Sequence, residues 1–171
     1  MSLTEKLVWK SEAMFLKAYF HYLLLIKYGP VPIIDTNLPI SASVEEVKVK
    51  RATVDEVFNY IINTIDTAIA GLPPRVINDN NLGRIDQVIA KSIKSRVTLF
   101  YASPLFNGNS ELYSTFTNND GVHFFNQSYE QSRWELAADV AKEAIDAAVE
   151  NGIEFYYFND EPLETDKRTY Q

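Results

Sequence analysis

Apolar residues recur along the chain at the three- and four-residue spacing of an amphipathic helix in four separate stretches. These stretches cover about residues 4–28, 53–72, 86–103 and 132–151. Each one ends at a glycine or a proline, and the clearest of these signals is Gly29 followed by Pro30. The pattern therefore predicts four long helices and an all-α protein.

The first predicted helix stands apart because residues 15–26 are apolar on nearly every side. A helix of this kind lies at the centre of a protein and is covered by several neighbours. Beyond its end, Pro30 and Pro32 favour an extended segment over residues 31–34. We therefore expect the first helix to be the central element of the fold.

Capping boxes predict where two of the other helices begin. Thr53 with Glu56, and Ser132 with Glu135, have the spacing at which each side chain of a pair bonds the backbone N–H of the other residue. In the last helix one stripe is predicted to face inward, and it consists of Trp134, Ala138, Ala141, Ile145 and Ala148. The small residues of this stripe permit close helix packing.

Polar connections separate the helices at residues 35–52 and 105–131, and the second is rich in Asn, Gly, Ser and aromatic residues. A loop of that length is usually functional or packed by its own side chains. The aromatic run 155–158 predicts a short strand or turn. We interpret residues 1–171 as a single helical domain of stacked helical hairpins of the tetratricopeptide type, with a long aromatic- and Asn-rich loop.

Composition excludes several classes of function. The 171 residues include no cysteine, which rules out a disulfide scaffold, a cysteine-ligated zinc site and a thiol nucleophile within this chain. The 16 basic and 23 acidic side chains give a net charge of −7. An acidic chain does not neutralise phosphates, so we expect no nucleic-acid partner.

Candidate catalytic and metal-binding residues are scarce. Of the two histidines, His21 lies within the apolar run and is interpreted as a core residue with its hydrogen bonds satisfied, while His123 lies in the long loop. Residues 118–121 resemble part of a calcium loop, but Phe116 and Gln127 stand where acidic ligands are needed. The chain carries no recognisable catalytic motif, and we predict no enzymatic activity, no metal and no cofactor.

The long loop provides the functional hint. Its aromatic residues can stack on the apolar faces of sugars while neighbouring polar side chains bond the hydroxyl groups. The alternative is that the same rings hold the loop against the helices. The candidate ligand-binding residues are Tyr113, His123, Phe124 and Phe125.

Four segments carry a pattern that is specific in its order and spacing. They are Glu12-Ala13-x-Phe15-Leu16-x-Ala18-Tyr19-Phe20 with Tyr28-Gly29-Pro30-Val31-Pro32-Ile33, then Arg51-Ala52-Thr53-x-x-Glu56-Val57-Phe58, then Gly83-Arg84 with Arg96-Val97-x-Leu99-x-Tyr101-Ala102-Ser103-Pro104-Leu105-Phe106-Asn107, and Trp134 with Ala137, Ala138 and Ala141. Over about residues 11–150 the chain resembles the SusD/RagB family. Within the third segment, Arg96 is expected to have a buried partner.

The resemblance implies a surface-exposed outer-membrane lipoprotein of the Bacteroidetes type. Such proteins bind glycans or other nutrients without catalysis and act with a TonB-dependent transporter of the SusC type. The resemblance also implies that the chain is part of a longer protein, whose lipid anchor to the membrane is absent from this chain. An alternative is a helical interaction scaffold whose direct partner is the transporter rather than a glycan.

Overall fold

The computed structural model describes residues 2–155, and its four long helices lie where the sequence predicts them. They are α1 (Leu3–Tyr28), α2 (Val44–Val47), α3 (Val54–Ile69), α4 (Gln87–Ala102), α5 (Ser110–Tyr113) and α6 (Gln131–Glu150). In this part of the chain there is no β-strand, and Thr117 and His123 form an isolated antiparallel bridge. The all-α prediction is confirmed. The strand or turn predicted at 155–158 lies, except for its first residue, outside the described residues.

The four long helices pack as two antiparallel hairpins, α1 with α3 and α4 with α6, and α3 joins the hairpins by packing on α4. Gly71, just beyond α3, lies so close to α1 that a Cβ there would overlap the Ser11 hydroxyl. Lys94 of α4 forms a 2.6 Å ion pair with Asp66 of α3. The comparison with tetratricopeptide hairpins stays a prediction.

The helix ends follow the local signals in two cases of three. Gly29 ends α1 and donates its N–H to the carbonyl of Leu25 at 2.8 Å. Thr53 caps α3, because its hydroxyl accepts the Glu56 N–H while the Glu56 carboxylate accepts the Thr53 N–H. The capping box predicted at Ser132 is wrong. The N-cap of helix α6 is Glu130, two residues before Ser132, and it forms no side-chain cap bond; the helix itself begins at Gln131.

The inward stripe predicted for α6 is also wrong, by one residue. The buried positions are Arg133, Ala137, Val140, Ala144 and Ala147, whereas the predicted positions are exposed or partly exposed. Burial of a guanidinium requires partners, and the sequence alone does not reveal them. In the structure Asp55 and the carbonyl of Phe106 accept hydrogen bonds from the Arg133 guanidinium. These bonds set the rotation of α6 about its axis.

The core is built around α3 rather than around α1. Val54, Val57, Phe58, Ile61 and Ile65 of α3 are completely buried between the two neighbouring helices. One face of α1 packs on α3, and the opposite face, which includes Leu16 and Phe20, is exposed. Among the described residues α1 is thus covered on one face, and the expectation that it is the central helix of the fold stays a prediction for the longer protein.

The connections contain short elements that periodicity does not reveal. Helix α2 is a single turn within 35–52 that is closed by a capping box of Ser43 and Glu46. A 3₁₀ turn covers Asp79–Asn81, and α5 is one turn within the long loop. Elements of one turn are too short to show a hydrophobic period, so the sequence predicts loops there.

Candidate ligand-binding site

Asn107 ties together the two ends of the long loop. Its side-chain amide donates to the Glu130 carbonyl at 2.9 Å, and its side-chain oxygen accepts the Glu130 N–H at 2.8 Å. The adjacent Gly108 has a φ of +79°, and a Cβ there would lie 2.5 Å from the backbone nitrogen of Tyr129. Only glycine fits this combination of backbone angle and close approach. Residues 107–130 therefore form a closed loop with fixed ends.

Aromatic rings fill the interior of this loop. Phe125 stacks on Tyr113, with 3.8 Å between ring centroids, and on Phe106 at 5.8 Å. Phe124 and Phe125 are only 8% and 4% exposed, and Tyr113 is half-buried. The Phe124 carbonyl also accepts the first N–H of α3, from Val54, at 2.8 Å. Such contacts are expected if the rings hold the loop against the helices. A ligand-binding role for Tyr113, Phe124 and Phe125 stays a prediction.

His123 is the exposed member of the four candidate residues. It follows a tight turn in which the Asn118 side-chain oxygen accepts the N–H groups of Asp120 and Val122, each at 2.9 Å. Next to it lies a surface cavity of about 370 Å³, which is lined by Thr53, Asp55, Val122, His123, Phe124, Phe125, Asn126 and Gln127. The structure therefore brings His123, Phe124 and Phe125 to one cavity and leaves Tyr113 outside its lining.

A second surface cavity of about 300 Å³ shares Phe124 with the first. The Arg51 guanidinium lies 5.7 Å from the Phe124 ring centroid, and the Lys50 ammonium lies 3.3 Å from the Asp120 carboxylate. These basic residues were not among the candidates, because they precede Asp120 and Phe124 by about 70 positions in the sequence. The only signal in the sequence was the small basic group at residues 48–51.

The cavities bring together the chemistry that recognises hydroxyl groups. An imidazole, side-chain amides, carboxylates, one ammonium and one guanidinium group surround an apolar ring at the shared wall. Hydrogen-bonding groups beside an aromatic surface are the usual composition of a small-molecule site. Within residues 2–155, no group of three or more His, Asp and Glu side chains is placed to hold a metal ion.

Arg133 is the polar centre beneath this region. Its side chain is 2% exposed and makes a bidentate pair with Asp55 at 2.9 and 3.0 Å. The guanidinium also donates to the Phe106 carbonyl at 3.2 Å and to the Glu130 carboxylate at 3.2 Å, and it lies 4.2 Å from the Tyr101 ring centroid. Arg133 therefore connects α3, α4, the long loop and the start of α6.

Electrostatics around Arg133 follow from burial and from these contacts. The hydrogen bond from Arg133 lowers the pKa of Glu130 below its ordinary value. Burial, together with the negative charge of Asp55, raises the pKa of Tyr101 to about 12. Arg96 itself is exposed, and its neighbour is the buried Tyr22, where burial raises the pKa of the phenol and the Arg96 guanidinium opposes that rise. The buried arginine is Arg133.

His21 is a structural residue, as predicted. Its Nδ1 lies 2.8 Å from the Lys17 carbonyl, and its Nε2 accepts the Ile34 N–H at 3.2 Å. This pattern places the ring proton on Nδ1. The ring also meets the Tyr60 ring edge-on at 4.9 Å, so His21 fixes the extended segment to α1.

Residues 2–99 match the SusD-like family, which is described as "Starch-binding associating with outer membrane". The match covers more than half of the chain, and the chain therefore belongs to this family. The match places the Glu12 and Gly83-Arg84 motifs within the family region. In the structure these motifs meet, because the Arg84 guanidinium binds the Glu12 carboxylate at 2.8 and 2.9 Å.

Solved structures agree with the family assignment. The protein BT4246 is 34% identical, with a TM-score of 0.80 over 89% of this chain and 26% of its own. A SusD-like protein from Bacteroides fragilis is 26% identical, with a TM-score of 0.54 over 60% of this chain and 19% of its own. A laminarin-binding SusD-like protein is 25% identical, with a TM-score of 0.54 over 60% of this chain and 21% of its own.

The chain spans about a quarter of the length of BT4246. No curated protein matches it. Among the helices of residues 2–155, none combines the length and the apolar character needed to cross a membrane.

Proposed function

We propose that the chain is part of a longer, non-enzymatic outer-membrane lipoprotein that binds carbohydrate at the cell surface. The observation that supports this most directly is the family match over residues 2–99, together with the fold shared with BT4246. The laminarin-binding relative indicates glucan as the class of ligand to test first. The lipid anchor is expected in the longer protein.

The ligand surface that we propose consists of the two cavities on either side of Phe124. His123 is the exposed hydrogen-bonding group in the first cavity, and Lys50 and Asp120 flank the second. Phe124 and Phe125 shape the wall, and Tyr113 supports it through its stack on Phe125. In this assignment His123 contacts the ligand directly, whereas Phe124, Phe125 and Tyr113 form and support the wall of the site.

Glycan titrations test the proposal. Laminarin and starch oligosaccharides are titrated into the 171-residue chain and into the longer protein, and binding is followed by isothermal titration calorimetry. We expect binding by the longer protein and weaker binding, or none, by the chain alone. A longer protein that binds nothing across a broad oligosaccharide panel would contradict the proposal, as would hydrolysis of any of these glycans by the pure protein.

A matched pair of variants tests the surface itself. In the longer protein, His123→Ala is expected to weaken glycan binding about five- to tenfold, the equivalent of one hydrogen bond. The control is Thr115→Ala, which changes an exposed residue of the same loop outside both cavity linings. Equal affinities for the two variants would remove His123 from the surface.

A second candidate function is a scaffold that binds a TonB-dependent transporter of the SusC type directly. The observation that favours it is the segment 34–49, where several large apolar side chains are exposed: Ile34, Leu38, Ile40, Val44, Val47 and Val49. Contiguous exposed apolar residues mark protein contacts. Co-purification with the transporter tests this function. It is expected to be lost on Ile40→Asp with Val44→Asp and retained on His123→Ala.

A further inference from the structure

The Asp55 carboxylate lies where the first cavity meets the buried polar centre of the fold. It belongs to the first turn of α3 and lines the same cavity as His123. The Asp55 side chain is 32% exposed, whereas the Arg133 side chain behind it is 2% exposed. The ion pair therefore has a buried positive member and a negative member that reaches the cavity.

Arg133 holds this carboxylate in one orientation. The two terminal nitrogens of the guanidinium donate to the two oxygens of Asp55 at 3.0 and 2.9 Å, which is the bidentate geometry that fixes the plane of a carboxylate. An ionised carboxylate has about four acceptor positions, and Arg133 occupies one on each oxygen. The part of the carboxylate that Arg133 does not cover lines the cavity. Asp55 is therefore a fixed acceptor with capacity left for a ligand.

The other polar side chains of the first cavity leave it rich in acceptors. The Thr53 hydroxyl is used in the cap of α3, and Asn126 forms hydrogen bonds within the loop through both its side-chain nitrogen and its side-chain oxygen. Gln127 donates to the carbonyl of Phe125 at 2.7 Å, so its side-chain oxygen is left as an acceptor. His123 can donate or accept. A ligand that fits this cavity therefore supplies donors, and hydroxyl groups are uncharged donors.

The charge at the wall of the cavity favours an uncharged ligand. Arg133 is shared between the carboxylates of Asp55 and Glu130, so the three side chains together carry one net negative charge. A carboxylate or sulfate group on a sugar would be repelled at this wall. Two hydroxyls on neighbouring carbons of a sugar ring match it instead, because they project side by side and can donate to the two oxygens of one carboxylate.

We propose that Asp55 contacts the sugar in the first cavity, beside His123, by accepting hydrogen bonds from two hydroxyls on neighbouring carbons, and that Arg133 is the positioning residue that orients it. This inference rests on the proposed carbohydrate-binding function and names the ligand class of the same site. The class consists of uncharged polysaccharides whose inner units keep two adjacent free hydroxyls. Laminarin meets this condition only in its end units, because each linkage along its chain uses the ring carbon between the free hydroxyls.

Four hexasaccharides test the ligand class in the longer protein. The inner units of maltohexaose, cellohexaose and xylohexaose keep adjacent hydroxyls, and those of laminarihexaose do not. Isothermal titration calorimetry is expected to show that at least one of the first three binds about tenfold more tightly than laminarihexaose, the equivalent of one hydrogen bond to a charged group. Tightest binding of laminarihexaose would overturn this proposal and leave the proposed function intact. A broad panel in which no glycan binds would overturn both.

A matched pair of carboxylate variants tests Asp55 itself. Asp55→Asn removes the charge at nearly constant size, and we expect the affinity for the tightest-binding hexasaccharide to fall about ten- to a hundredfold, with less than about a threefold change for laminarihexaose. The control is Asp66→Asn, which lies on the same helix, removes a 2.6 Å ion pair with the largely buried Lys94, and is outside both cavity linings. It should leave both affinities unchanged. An equal loss for both sugars would show a merely structural role of Asp55 and overturn the proposal, as would an unchanged affinity.

Arg133→Lys tests the positioning role. Lysine keeps the positive charge but lacks the planar pair of donors that fixes a carboxylate, so Asp55 keeps its charge and loses its orientation. We expect a loss of about three- to tenfold, again confined to sugars with adjacent hydroxyls. Far-ultraviolet circular dichroism checks that each variant is folded. If Asp55→Asn does not fold, the comparison of sugars in the unmodified protein and in Arg133→Lys decides the proposal, and a preference that is the same in both overturns the role of Arg133.

Discussion

Replacing Arg133 by methionine tests the most connected polar group of the structure. The change keeps a long, flexible stem in the buried position on α6 and removes the guanidinium. Lost with it are the bidentate pair with Asp55, the bond to the Phe106 carbonyl, the bond to Glu130 and the contact with the Tyr101 ring. The variant therefore measures what holds the long loop and α6 to the first hairpin.

The magnitude follows from the burial of each partner. Removing one member of a buried ion pair costs about 3–5 kcal/mol of unfolding free energy. Asp55 and Glu130 retain side-chain exposures of 32% and 44%, so both carboxylates regain water in the variant. The Phe106 carbonyl loses a buried hydrogen bond, which costs about 1–3 kcal/mol. We therefore expect a loss near the lower end, about 3 kcal/mol.

Urea unfolding at low protein concentration, followed by circular dichroism at equal pH and salt, measures this loss. The midpoint should fall while the slope with urea stays unchanged, because the same surface is exposed on unfolding. Lys142→Met is the matched control, since its ion pair with Asp146 lies on the same helix but in solvent. We expect less than about 0.5 kcal/mol from the control. A loss below about 1 kcal/mol for Arg133→Met would refute the reasoning.

Three further predictions concern single positions. Gly108→Ala combines a positive φ with overlap against the backbone of Tyr129, and we expect a loss of at least about 2 kcal/mol in urea unfolding. Asp86→Ala removes the cap of α4 and the acceptor of the Val76 N–H, with an expected loss of about 2 kcal/mol in the same assay. Because folding raises the pKa of Tyr101 from 10.0 to about 12, its contribution to stability is present below pH 10 and is lost as the pH rises towards about 12. Urea titrations between pH 10 and about 12 should show that the free energy of unfolding declines less in Tyr101→Phe than in the unmodified chain.

Each of these predictions has a control in the same chain. Gly121 shares the φ of +79° but has no atom near its missing Cβ, so Gly121→Ala isolates the backbone cost. Equal losses for the two glycine variants would exclude the overlap at Gly108. Asp86→Asn should retain most of the cap, and Tyr129→Phe applies the same substitution at an exposed tyrosine. An unchanged decline in Tyr101→Phe would contradict the assignment of that decline to Tyr101.

Local signals in the sequence predicted the long helices because those signals are completed within a few residues. The Thr53 box and the Gly29 cap each use partners within four positions, so their chemistry can be read from the sequence alone. His21 was interpreted correctly for a similar reason, since Lys17 lies one turn away and Ile34 follows the end of the same helix. The resemblance to the SusD/RagB family depended instead on the order and spacing of four short motifs over about residues 11–150.

Long-range contacts decided what the sequence could not predict. The apolar arc of helix α6 includes both the positions that are buried and the positions that were predicted to face inward. Periodicity cannot tell which of these two sets is covered. The answer depends on Arg133, whose burial requires acceptors such as Asp55, 78 positions away, and the Phe106 carbonyl. The cap predicted at Ser132 failed in a related way, since Asn107 fixes Glu130 from 23 positions upstream.

The candidate site also combines features that the sequence reveals locally with features that depend on long-range contacts. The loop residues were recognisable by composition, but whether Phe124 and Phe125 face solvent or the core depends on how the loop docks onto α3. The basic residues beside Phe124 come from a different connection of the chain. Spacing along the sequence contains no information on that neighbourhood.

The clamp formed by Asn107 has a consequence for how this loop tolerates change in length. Because its hydrogen bonds fix residues 107 and 130 to each other, the positions of α4 and α6 do not depend on the length of the chain between them. The entropy of closing a loop rises only slowly with its length. The exposed turn at residues 118–121 is thus the point of the chain where inserted residues would disturb the helices least, and where a new sequence could be displayed beside the two cavities.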